Sequence, residues 1–373
     1  MVNQKKIAIV YDWIDKWGGV ERVLLDFHKM FPEAVFYTSY FDKEKATWAK
    51  DLKIKTSFLQ KFPNFIKKNR ILSFIFYPFA FESFDFSGYD LVISITSSFA
   101  KSIITKPGTQ HICYLLTPTR YLWSHKKEYF GRGLISYLVR GYLINMEKWD
   151  YVAGQRPDKI ISISKTVRDR CKKYYKRESE VIYPGFDINY WNKIKIIIKN
   201  EELRIKLKIK NYYLIVSRLE PYKKIDLAIR VFNRLNKQLV IIGEGSQEKK
   251  LKQIAGKNIT FLSKLSDVEL GNFYSSAQAL IIPQEEDFGY VSLEAQLFGC
   301  PVLAYKKGGV LETIIENKTG IFFDNQDERS LSQTVERFDK IGYNLRKNIE
   351  VFGRQNLKKF SKNFFVDNFL KNL

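Results

Sequence analysis

Short apolar runs alternate with helix-spaced segments along the N-terminal half of the chain. The run "KKIAIVYDW" precedes "GGVERVLLDFHKMF", in which Val20, Val23, Leu24 and Phe27 recur at helical spacing. Further strand candidates are "AVFYTSY", "YDLVISIT", "QHICYLL" and "DKIISIS", and a helical pattern, "KTVRDRCKKYY", follows the last of them. Strands that are apolar throughout are typical of sheets buried on both faces. The pattern therefore predicts an α/β domain with a parallel sheet.

A second series of the same kind begins near residue 211. Its strand candidates are "NYYLIVS", "QLVIIG", "NITFLS", "QALIIP", "PVLAY" and "TGIFF", each followed by a helical segment. Between the two series, "VIYPGFDINYWNKIKIIIKN" is charged and irregular. We therefore predict an N-terminal Rossmann-like domain at 1–186, a linker at 187–210 and a C-terminal Rossmann-like domain at 211–350. A C-terminal helix is predicted at 351–373, with four aromatic side chains available to dock: Phe360, Phe364, Phe365 and Phe369.

The loops that follow the strands are the expected ligand sites, since doubly wound sheets bind ligands at the carboxyl ends of their strands. Glu286 lies in the loop "QEEDFG", directly after the strand "ALIIP". The helix that starts near Gly289 and Tyr290 offers unpaired backbone N–H groups, which suit a phosphate. A carboxylate in the loop suits hydroxyl groups. Together they describe a nucleotide sugar, although an acidic first turn that stabilises the helix dipole would look the same.

Other loops carry charges and glycines. Arg218 and Lys223 follow the strand "YYLIVS", where two cations can neutralise a diphosphate, although such residues are also common as solvated surface charges. Gly18 and Gly19 lie between a strand and a helix, where they allow backbone to approach a phosphate or a second substrate. Gly243, in "IIGEGS", belongs either to a ligand loop or to a tight turn. The dinucleotide and P-loop fingerprints are missing from the sequence.

Taken together, these segments resemble the family-4 retaining glycosyltransferases of the GT-B fold, over nearly the whole chain. The resemblance is carried by "GGVERVL", "SRLEPYKKIDLAI", "VIIGEG" and "EEDFGYVSLEAQLFGCPVLAYKKGGVLETI", which include Glu286 and Glu294 with seven residues between them. It implies two Rossmann-like domains that face across a cleft. It also implies that the C-terminal helix packs back on the N-terminal domain.

The resemblance also implies roles for individual residues. Arg218 and Lys223 would hold the donor diphosphate, Glu286 would contact the sugar hydroxyls, and Glu294 would contact the nucleoside ribose. The remaining residues expected to bind the donor are Phe288, Gly289, Tyr290, Val291, Gly18, Gly19 and Gly243. The leaving phosphate would help to take the proton of the acceptor, so no metal or other cofactor is expected. The sequence contains no Asp-x-Asp triplet, which metal-dependent transferases commonly use.

Segments of the N-terminal half narrow the resemblance further. "YDWIDKWGGVERVL", "FDFSGYDLVIS", "HICYLLTPTRYLW" and "VIYPGFD" are similar to a bacterial O-antigen and exopolysaccharide subgroup of mannosyltransferases. This implies a GDP-mannose donor and a lipid-linked glycan acceptor. One position departs from the subgroup, because Leu116 stands where a histidine usually precedes Thr-Pro. His111 is interpreted as a packed core residue and His125 as a surface residue, so a catalytically altered or inactive GT-B homologue is the alternative.

The formal net charge of +22 favours anionic partners, which include nucleic acid, anionic lipid and phosphorylated small molecules. The excess is spread over both halves of the chain, whereas a nucleic-acid interface concentrates basic and aromatic residues on one face. No nucleic-acid partner is therefore expected, and a nucleic-acid-binding protein is the less favoured alternative.

Residues 62–81, "FPNFIKKNRILSFIFYPFAF", interleave bases with aromatic side chains. This pattern fits attachment to an anionic membrane surface, and it equally fits a helix that packs its phenylalanines into the core. The sequence shows no secretory signal and no apolar stretch of about 20 residues. We therefore expect a cytoplasmic protein, with a peripheral location on the inner face of the cytoplasmic membrane as an option.

Overall fold

The computed structural model describes residues 5–70, 72–130, 140–199 and 209–373. The chain divides into two units. Unit 1 consists of Met1–Pro184 with Asn368–Leu373, and unit 2 consists of Gly185–Asp367. Part of the predicted linker, residues 200–208, lies outside the described residues.

Unit 1 contains a seven-stranded sheet in the order β3-β2-β1-β4-β5-β6-β7, in which every strand pair is parallel. Its strands are β1 Ile7–Tyr11, β2 Val35–Thr38, β3 Lys53–Thr56, β4 Leu91–Thr96, β5 Gln110–Leu115, β6 Lys159–Ser162 and β7 Glu180–Val181. All side chains of β1 and β4 are buried, as the uninterrupted apolar runs predict. This confirms a parallel sheet covered on both faces.

Seven α-helices are described in unit 1: Gly19–Met30, Asn64–Lys67, Tyr77–Glu82, Arg120–Trp123, Lys126–Phe130, Arg140–Ala153 and Lys165–Tyr175. Short 3₁₀ helices are Thr47–Ala49, Phe58–Lys61 and Ala100–Ser102. The first long helix buries Val23, Leu24 and Phe27 on one face, which is the apolar stripe that its sequence predicts. The last begins where Ser164 Oγ accepts a hydrogen bond from the Val167 N–H, an N-cap that sets its start.

Unit 2 contains a six-stranded parallel sheet in the order β10-β9-β8-β11-β12-β13. Its strands are β8 Tyr212–Val216, β9 Gln238–Ile242, β10 Ile259–Leu262, β11 Leu280–Ile282, β12 Val302–Tyr305 and β13 Gly320–Phe323. Sequence-adjacent strands run outwards from β8 on one side and from β11 on the other. The strand order therefore reverses between β8 and β11, and their carboxyl ends form the topological switch point where such sheets bind ligands.

The described α-helices of unit 2 are Ile188–Lys199, Ile225–Leu235, Glu248–Ile254, Asp267–Ser276, Tyr290–Leu297, Val310–Thr313, Glu328–Asn348, Arg354–Lys358 and Lys362–Leu370, and the last of these continues into unit 1. Pro221–Lys223 is a 3₁₀ helix and Ile349–Gly353 is a π-helical segment. The irregular conformation predicted after residue 187 is wrong for Ile188–Lys199. That segment is helical because Trp191, Ile194 and Ile198 recur at helical spacing and are buried.

The C-terminal helix Lys362–Leu370 belongs to both units, because the boundary falls between Asp367 and Asn368. Within unit 1, the Phe369 ring lies 4.7 Å from the Phe27 ring and 6.0 Å from the Tyr114 ring. The predicted return of this helix to the N-terminal part of the chain is therefore confirmed. Phe360 and Phe365 are buried in unit 2, whereas Phe364 is 52% exposed and does not dock into the core.

Candidate active site

The predicted cations and Glu286 occupy two neighbouring loops at the switch point of the unit 2 sheet. Arg218 and Lys223 follow β8, and Glu286 follows β11. Because β8 and β11 are hydrogen-bonded neighbours, their two loops leave the sheet side by side. The arrangement of the strands thus brings together residues that are more than 60 positions apart in sequence.

Lys223 and Glu286 form a short ion pair. Lys223 Nζ lies 2.6 Å from Glu286 Oε1, and the two side chains are only 11% and 14% exposed. Gln284 Nε2 donates to the same carboxylate oxygen. Taking a lysine charge out of water is unfavourable, and a carboxylate at this distance offsets much of that cost. The pair therefore fixes both charged groups at the edge of the sheet.

Tyr222 connects Arg218 to this pair. The exposed Arg218 donates through Nη2 to the Tyr222 hydroxyl at 2.7 Å, and Lys223 Nζ lies 5.6 Å from the centre of the Tyr222 ring. Sequence reasoning missed Tyr222, although its place between the two cations in "RLEPYKK" is a signal that spacing alone supplies. Arg218 and Lys223 thus both lie against the side chain of Tyr222.

The turn that carries Lys223 is set by local sequence. Pro221 begins the 3₁₀ helix, where its fixed backbone angle is favourable, and the Lys223 N–H donates to the Glu220 carbonyl at 2.9 Å. Lys224 then adopts a left-handed conformation with φ of 50°, which ends the turn and starts the helix Ile225–Leu235. Lys223 is therefore the last residue of a single tight turn.

The loop that carries Glu286 rests directly on the backbone of two glycines. Glu286 and Gly308 form a parallel bridge, and the Gly309 N–H donates to the Glu286 carbonyl at 2.7 Å. A Cβ on Gly308 would lie 2.2 Å from the backbone carbonyl oxygen of Glu286, and a Cβ on Gly309 would lie 2.5 Å from Phe288 Cα. Only glycine allows this close approach, so the Gly-Gly pair of the sequence positions the acidic loop.

The helix Tyr290–Leu297 starts at Gly289, which has a φ of 94°. The Phe288 ring packs against the Phe360 ring at 5.5 Å, and the Tyr290 hydroxyl donates to the Gly185 carbonyl at 2.8 Å. Val291 is partly buried. The side chains of Phe288 and Tyr290 thus make contacts inside unit 2. A role of the backbone from Phe288 to Val291 in donor binding stays a prediction.

Glu294 lies inside the same helix and is buried. Its Oε2 accepts a hydrogen bond of 2.8 Å from the hydroxyl of Tyr274, whose ring stacks on Phe298 at 6.0 Å. Tyr274 belongs to the neighbouring helix Asp267–Ser276 and orients the Glu294 carboxylate. Contact of Glu294 with a ribose stays a prediction.

Gly243 supports the Arg218 loop through its backbone. It has a φ of 147°, and a Cβ at this position would lie 1.9 Å from the Ser217 carbonyl oxygen. Gly245 approaches Leu219 in the same way, with 2.5 Å to its carbonyl oxygen. The Gly-x-Gly segment therefore acts first as a close-packed turn, one of the two interpretations that the sequence left open.

Gly18 and Gly19 belong to unit 1. Gly18 is extended, and a Cβ there would lie 3.0 Å from Glu21 Oε2. Gly19 is exposed and opens the helix Gly19–Met30. The glycine pair thus occupies the loop between β1 and that helix, as the sequence predicts, and its ligand stays a prediction.

Leu116, which stands where the subgroup usually has a histidine, and the nearby His111 are part of the unit 1 core. Leu116 is buried at the end of β5, and its N–H donates to the Thr96 carbonyl at 2.8 Å. His111 is fully buried, with Nε2 2.8 Å from Ser94 Oγ, and burial lowers the pKa of His111 to about 3. The interpretation of His111 as a packed core residue is confirmed. His125 is partly buried and pairs with Ser124.

Residues 62–81 bury some of their aromatic side chains and expose others, and attachment of this segment to a membrane surface stays a prediction. Phe74, Tyr77 and Phe81 are buried in the unit 1 core. Four other apolar side chains of this segment, called the apolar ridge below, have exposed fractions of 69%, 48%, 48% and 64%: Phe65, Leu72, Ile75 and Phe79. None of the helices in the described parts of the chain has the length and apolar composition needed to cross a bilayer.

The second half of the chain is similar in sequence to known glycosyltransferases. The family model of the glycosyl transferases group 1 matches residues 198–358. An uncharacterized glycosyltransferase of Methanocaldococcus jannaschii is 28% identical over 214 residues, which cover 56% of this chain and 57% of that protein. The alpha-1,3/1,6-mannosyltransferase ALG2 of Homo sapiens is 28% identical over 215 residues, or 51% of each chain. The matched parts thus span about half the length of these relatives.

A third relative matches a shorter part of the chain. The GDP-mannose-dependent monoacylated alpha-(1-6)-phosphatidylinositol monomannoside mannosyltransferase of Corynebacterium glutamicum is 32% identical over 135 residues, which cover 32% of this chain and 35% of that protein.

Solved structures match the whole chain in fold. The structure of Anabaena Alr3699/HepE in complex with UDP has a TM-score of 0.70 at 17% identity, and the match covers 98% of this chain and 99% of that one. A sucrose-phosphate synthase from Thermosynechococcus elongatus has a TM-score of 0.73 at 15% identity, with 98% of each chain covered. The chain therefore has the GT-B fold, and its residues 198–358 match the glycosyl transferases group 1 family.

Proposed function

We propose that this chain is a retaining glycosyltransferase that moves a hexose from a nucleoside diphosphate sugar to a hydroxyl of a lipid-linked glycan. GDP-mannose is the favoured donor and cell-surface polysaccharide synthesis the favoured role. The carrying observation is the contact of Lys223 with Glu286 at the switch point of the unit 2 sheet. Two relatives are mannosyltransferases by name, and one of them is described as GDP-mannose-dependent, which supports this choice of donor.

The chemistry would depend on charge. The bond between the sugar and the diphosphate breaks, and the acceptor oxygen attacks the same face of the sugar, so that the anomeric configuration is retained. The acceptor proton passes to the departing phosphate oxygen. The nearly buried Lys223 and the exposed Arg218 would both stabilise the negative charge that grows on that diphosphate, and a positioned charge contributes most where water is excluded, as at Lys223.

Glu286 has two tasks in this mechanism. Its carboxylate holds Lys223 in place and can accept a hydrogen bond from a hydroxyl of the donor sugar, because a carboxylate has about four acceptor positions. Lys223 likewise has three donor hydrogens, so it can hold Glu286 and a phosphate oxygen together. The pair would thus join the sugar and the diphosphate ends of the donor.

The apolar ridge of unit 1 supports a membrane-bound acceptor. The exposed side chains of Phe65, Leu72, Ile75 and Phe79 lie in the segment 62–81, which contains the exposed Lys68 and directly follows the exposed Lys61. Aromatic side chains can enter the interface of a bilayer while lysines contact anionic headgroups. A lipid-linked glycan would be found at such a surface.

The test of the function is a donor screen with Lys223→Ala and a neighbouring control. The control is Lys224→Asn, which removes an adjacent charge and keeps the left-handed backbone, because asparagine tolerates that conformation. We expect the wild-type protein to release nucleoside diphosphate from one donor of a GDP-mannose and UDP-glucose panel. Lys223→Ala should lower kcat about 100- to 1,000-fold, as expected for loss of a group that stabilises transition-state charge.

Circular dichroism separates this effect from unfolding. A folded Lys223→Ala protein with near-normal turnover would contradict the phosphate role of Lys223. A wild-type protein that neither binds nor turns over any nucleotide sugar would contradict the proposed function, and would favour the alternative of an inactive GT-B homologue.

A further inference from the structure

One buried amide at the candidate site donates one hydrogen bond and has an acceptor oxygen without a partner among the described residues. Gln284 follows β11 and is 2% exposed. Its Nε2 donates to Glu286 Oε1. Its Oε1 is buried, and within the described parts of the chain no donor lies within hydrogen-bonding distance of it.

The orientation of this amide is fixed by its neighbour. A flipped amide would place the Gln284 oxygen against the Glu286 carboxylate oxygen, and two acceptors repel each other. The nitrogen must therefore face Glu286. Amide geometry places Oε1 about 2.2 Å from Nε2, so the open acceptor stays within the group formed by Gln284, Glu286 and Lys223.

Gln296 shows how the same protein treats a glutamine of purely structural function. Gln296 is also 2% exposed. Its Nε2 donates to the Ser292 and Thr313 carbonyls at 2.9 and 2.8 Å, and its Oε1 accepts from Asn356 Nδ2 at 3.0 Å. Both ends of that amide are satisfied, as buried polar groups almost always are. The open oxygen of Gln284 therefore indicates a position where a ligand supplies the donor.

The chemistry of the ligand group follows from the acceptors. Phosphate oxygens can bind Lys223 and Arg218, but they cannot donate a hydrogen bond to an amide oxygen. A hydroxyl can. Gln284 Oε1 and the Glu286 carboxylate are adjacent acceptors, so they match a group that presents two donors side by side. Neighbouring hydroxyls on a sugar ring have this arrangement.

We propose that Gln284 is a specificity-determining residue, whose Oε1 accepts a hydrogen bond from one hydroxyl of the transferred sugar while Glu286 accepts one from the adjacent hydroxyl. This inference rests on the proposed function. It implies that the site selects sugars by a pair of neighbouring hydroxyls. A site built to bind a hydroxyl strongly rejects an analogue that lacks it, because its own buried polar group is then left unpaired.

The experiment compares Gln284→Met with Gln296→Met. Methionine has nearly the shape of glutamine, and it removes both the amide oxygen and the nitrogen that donates to Glu286. The deoxygenated donors separate the two losses, because only the loss of the oxygen should remove discrimination at a single hydroxyl position. The probes are the donor identified in the screen, its free nucleoside diphosphate, and the donor deoxygenated at each sugar position in turn. We expect Gln284→Met to lower kcat/KM for the parent donor about 10- to 100-fold, as for one lost buried hydrogen bond, with free nucleoside diphosphate binding unchanged. Gln296→Met should lower thermal stability and leave donor selection unchanged.

The deoxy donors identify the contact. Wild-type protein should discriminate against two adjacent deoxy positions, and Gln284→Met should lose its discrimination at one of them only. An equal loss with every donor, an equal loss of nucleoside diphosphate binding, or unchanged kcat/KM would overturn the proposal.

The experiment stays decisive if Gln284→Met does not fold or if the proposed function is wrong. Should Gln284→Met not fold, the wild-type profile alone decides, because penalties at fewer than two adjacent positions contradict the inference. A wild-type protein inactive with all donors overturns the proposed function and this inference together. Normal wild-type turnover with an indifferent Gln284→Met overturns the inference alone.

Discussion

Gly309→Ala should displace the acidic loop by a distance that the structure gives directly. Gly309 has a helical backbone with φ of −62°, so alanine causes no backbone strain there. Its Cβ would lie 2.5 Å from Phe288 Cα and 2.6 Å from the Asp287 carbonyl oxygen, and both atoms belong to the backbone. An ordinary contact begins at 3.4 Å, so the loop must move by about 0.9 Å.

A displacement of about 0.9 Å is enough to break or lengthen the contacts that hold Glu286. The 2.7 Å bond from the Gly309 N–H to the Glu286 carbonyl would open beyond hydrogen-bonding distance, at a cost of about 1 kcal/mol. The contact of Lys223 with Glu286 would lengthen as well. A misplacement of about 1 Å at a catalytic group can cost about 100-fold in rate, or about 2.7 kcal/mol in activation free energy. We therefore expect Gly309→Ala to fold and to turn over donor about 100-fold more slowly.

The assay is release of nucleoside diphosphate from the donor, together with thermal unfolding. Gly141→Ala is the matched control, because Gly141 lies in the helix Arg140–Ala153 and a methyl group added there would meet no neighbouring described atom within 4 Å. It should leave turnover unchanged and raise stability by up to about 1 kcal/mol. Turnover of folded Gly309→Ala within about threefold of wild type would refute the link between loop position and catalysis.

Two further predictions concern unit 1. The folded-state pKa of His111 is about 3, below its ordinary 6.5, so the contribution of neutral His111 to stability is present above pH 6.5 and is lost as pH falls from there towards pH 3. At about pH 5 the lost contribution is about 2 kcal/mol. The free energy of unfolding of His111→Asn should therefore fall less between about pH 7 and pH 5 than that of the wild type, by about that amount. An equal pH dependence of the two proteins would count against this prediction. Phe65→Ser with Phe79→Ser should abolish flotation with vesicles of phosphatidylglycerol at low salt, and retained flotation would exclude the apolar ridge as the membrane contact.

The inner strands of both sheets were predictable from sequence, and the outer strands of unit 1 were not. β1 and β4 are continuous apolar runs, which is the signature of burial on both faces. β3 reads "KIKT" and is only partly buried at one edge of the sheet, and β7 has two residues at the other edge. Edge strands need no continuous apolar run, so composition does not reveal them.

The site was predictable as far as strand ends determine it. Arg218, Lys223 and Glu286 follow two strands whose ends must meet if the sheet is doubly wound. The open amide of Gln284 was not predictable, because its burial and orientation depend on packing rather than on neighbours in sequence. The buried position of Asp12 was not predictable for the same reason. Asp12 is fully buried in unit 1 and accepts hydrogen bonds from the N–H groups of Phe99 and Ala100, which lie 87 and 88 residues away.

The position of Phe369 in unit 1 affects how the chain can fold during its synthesis. Domains usually fold as units, N-terminal first, while the ribosome is still extending the chain. Here the rings of Phe27 and Tyr114 must wait for a partner that is translated only after all of Gly185–Asp367. Unit 1 on the ribosome would therefore keep an unfilled apolar surface until unit 2 had been made. A fragment that stops at Pro184 would retain that surface and would be expected to aggregate.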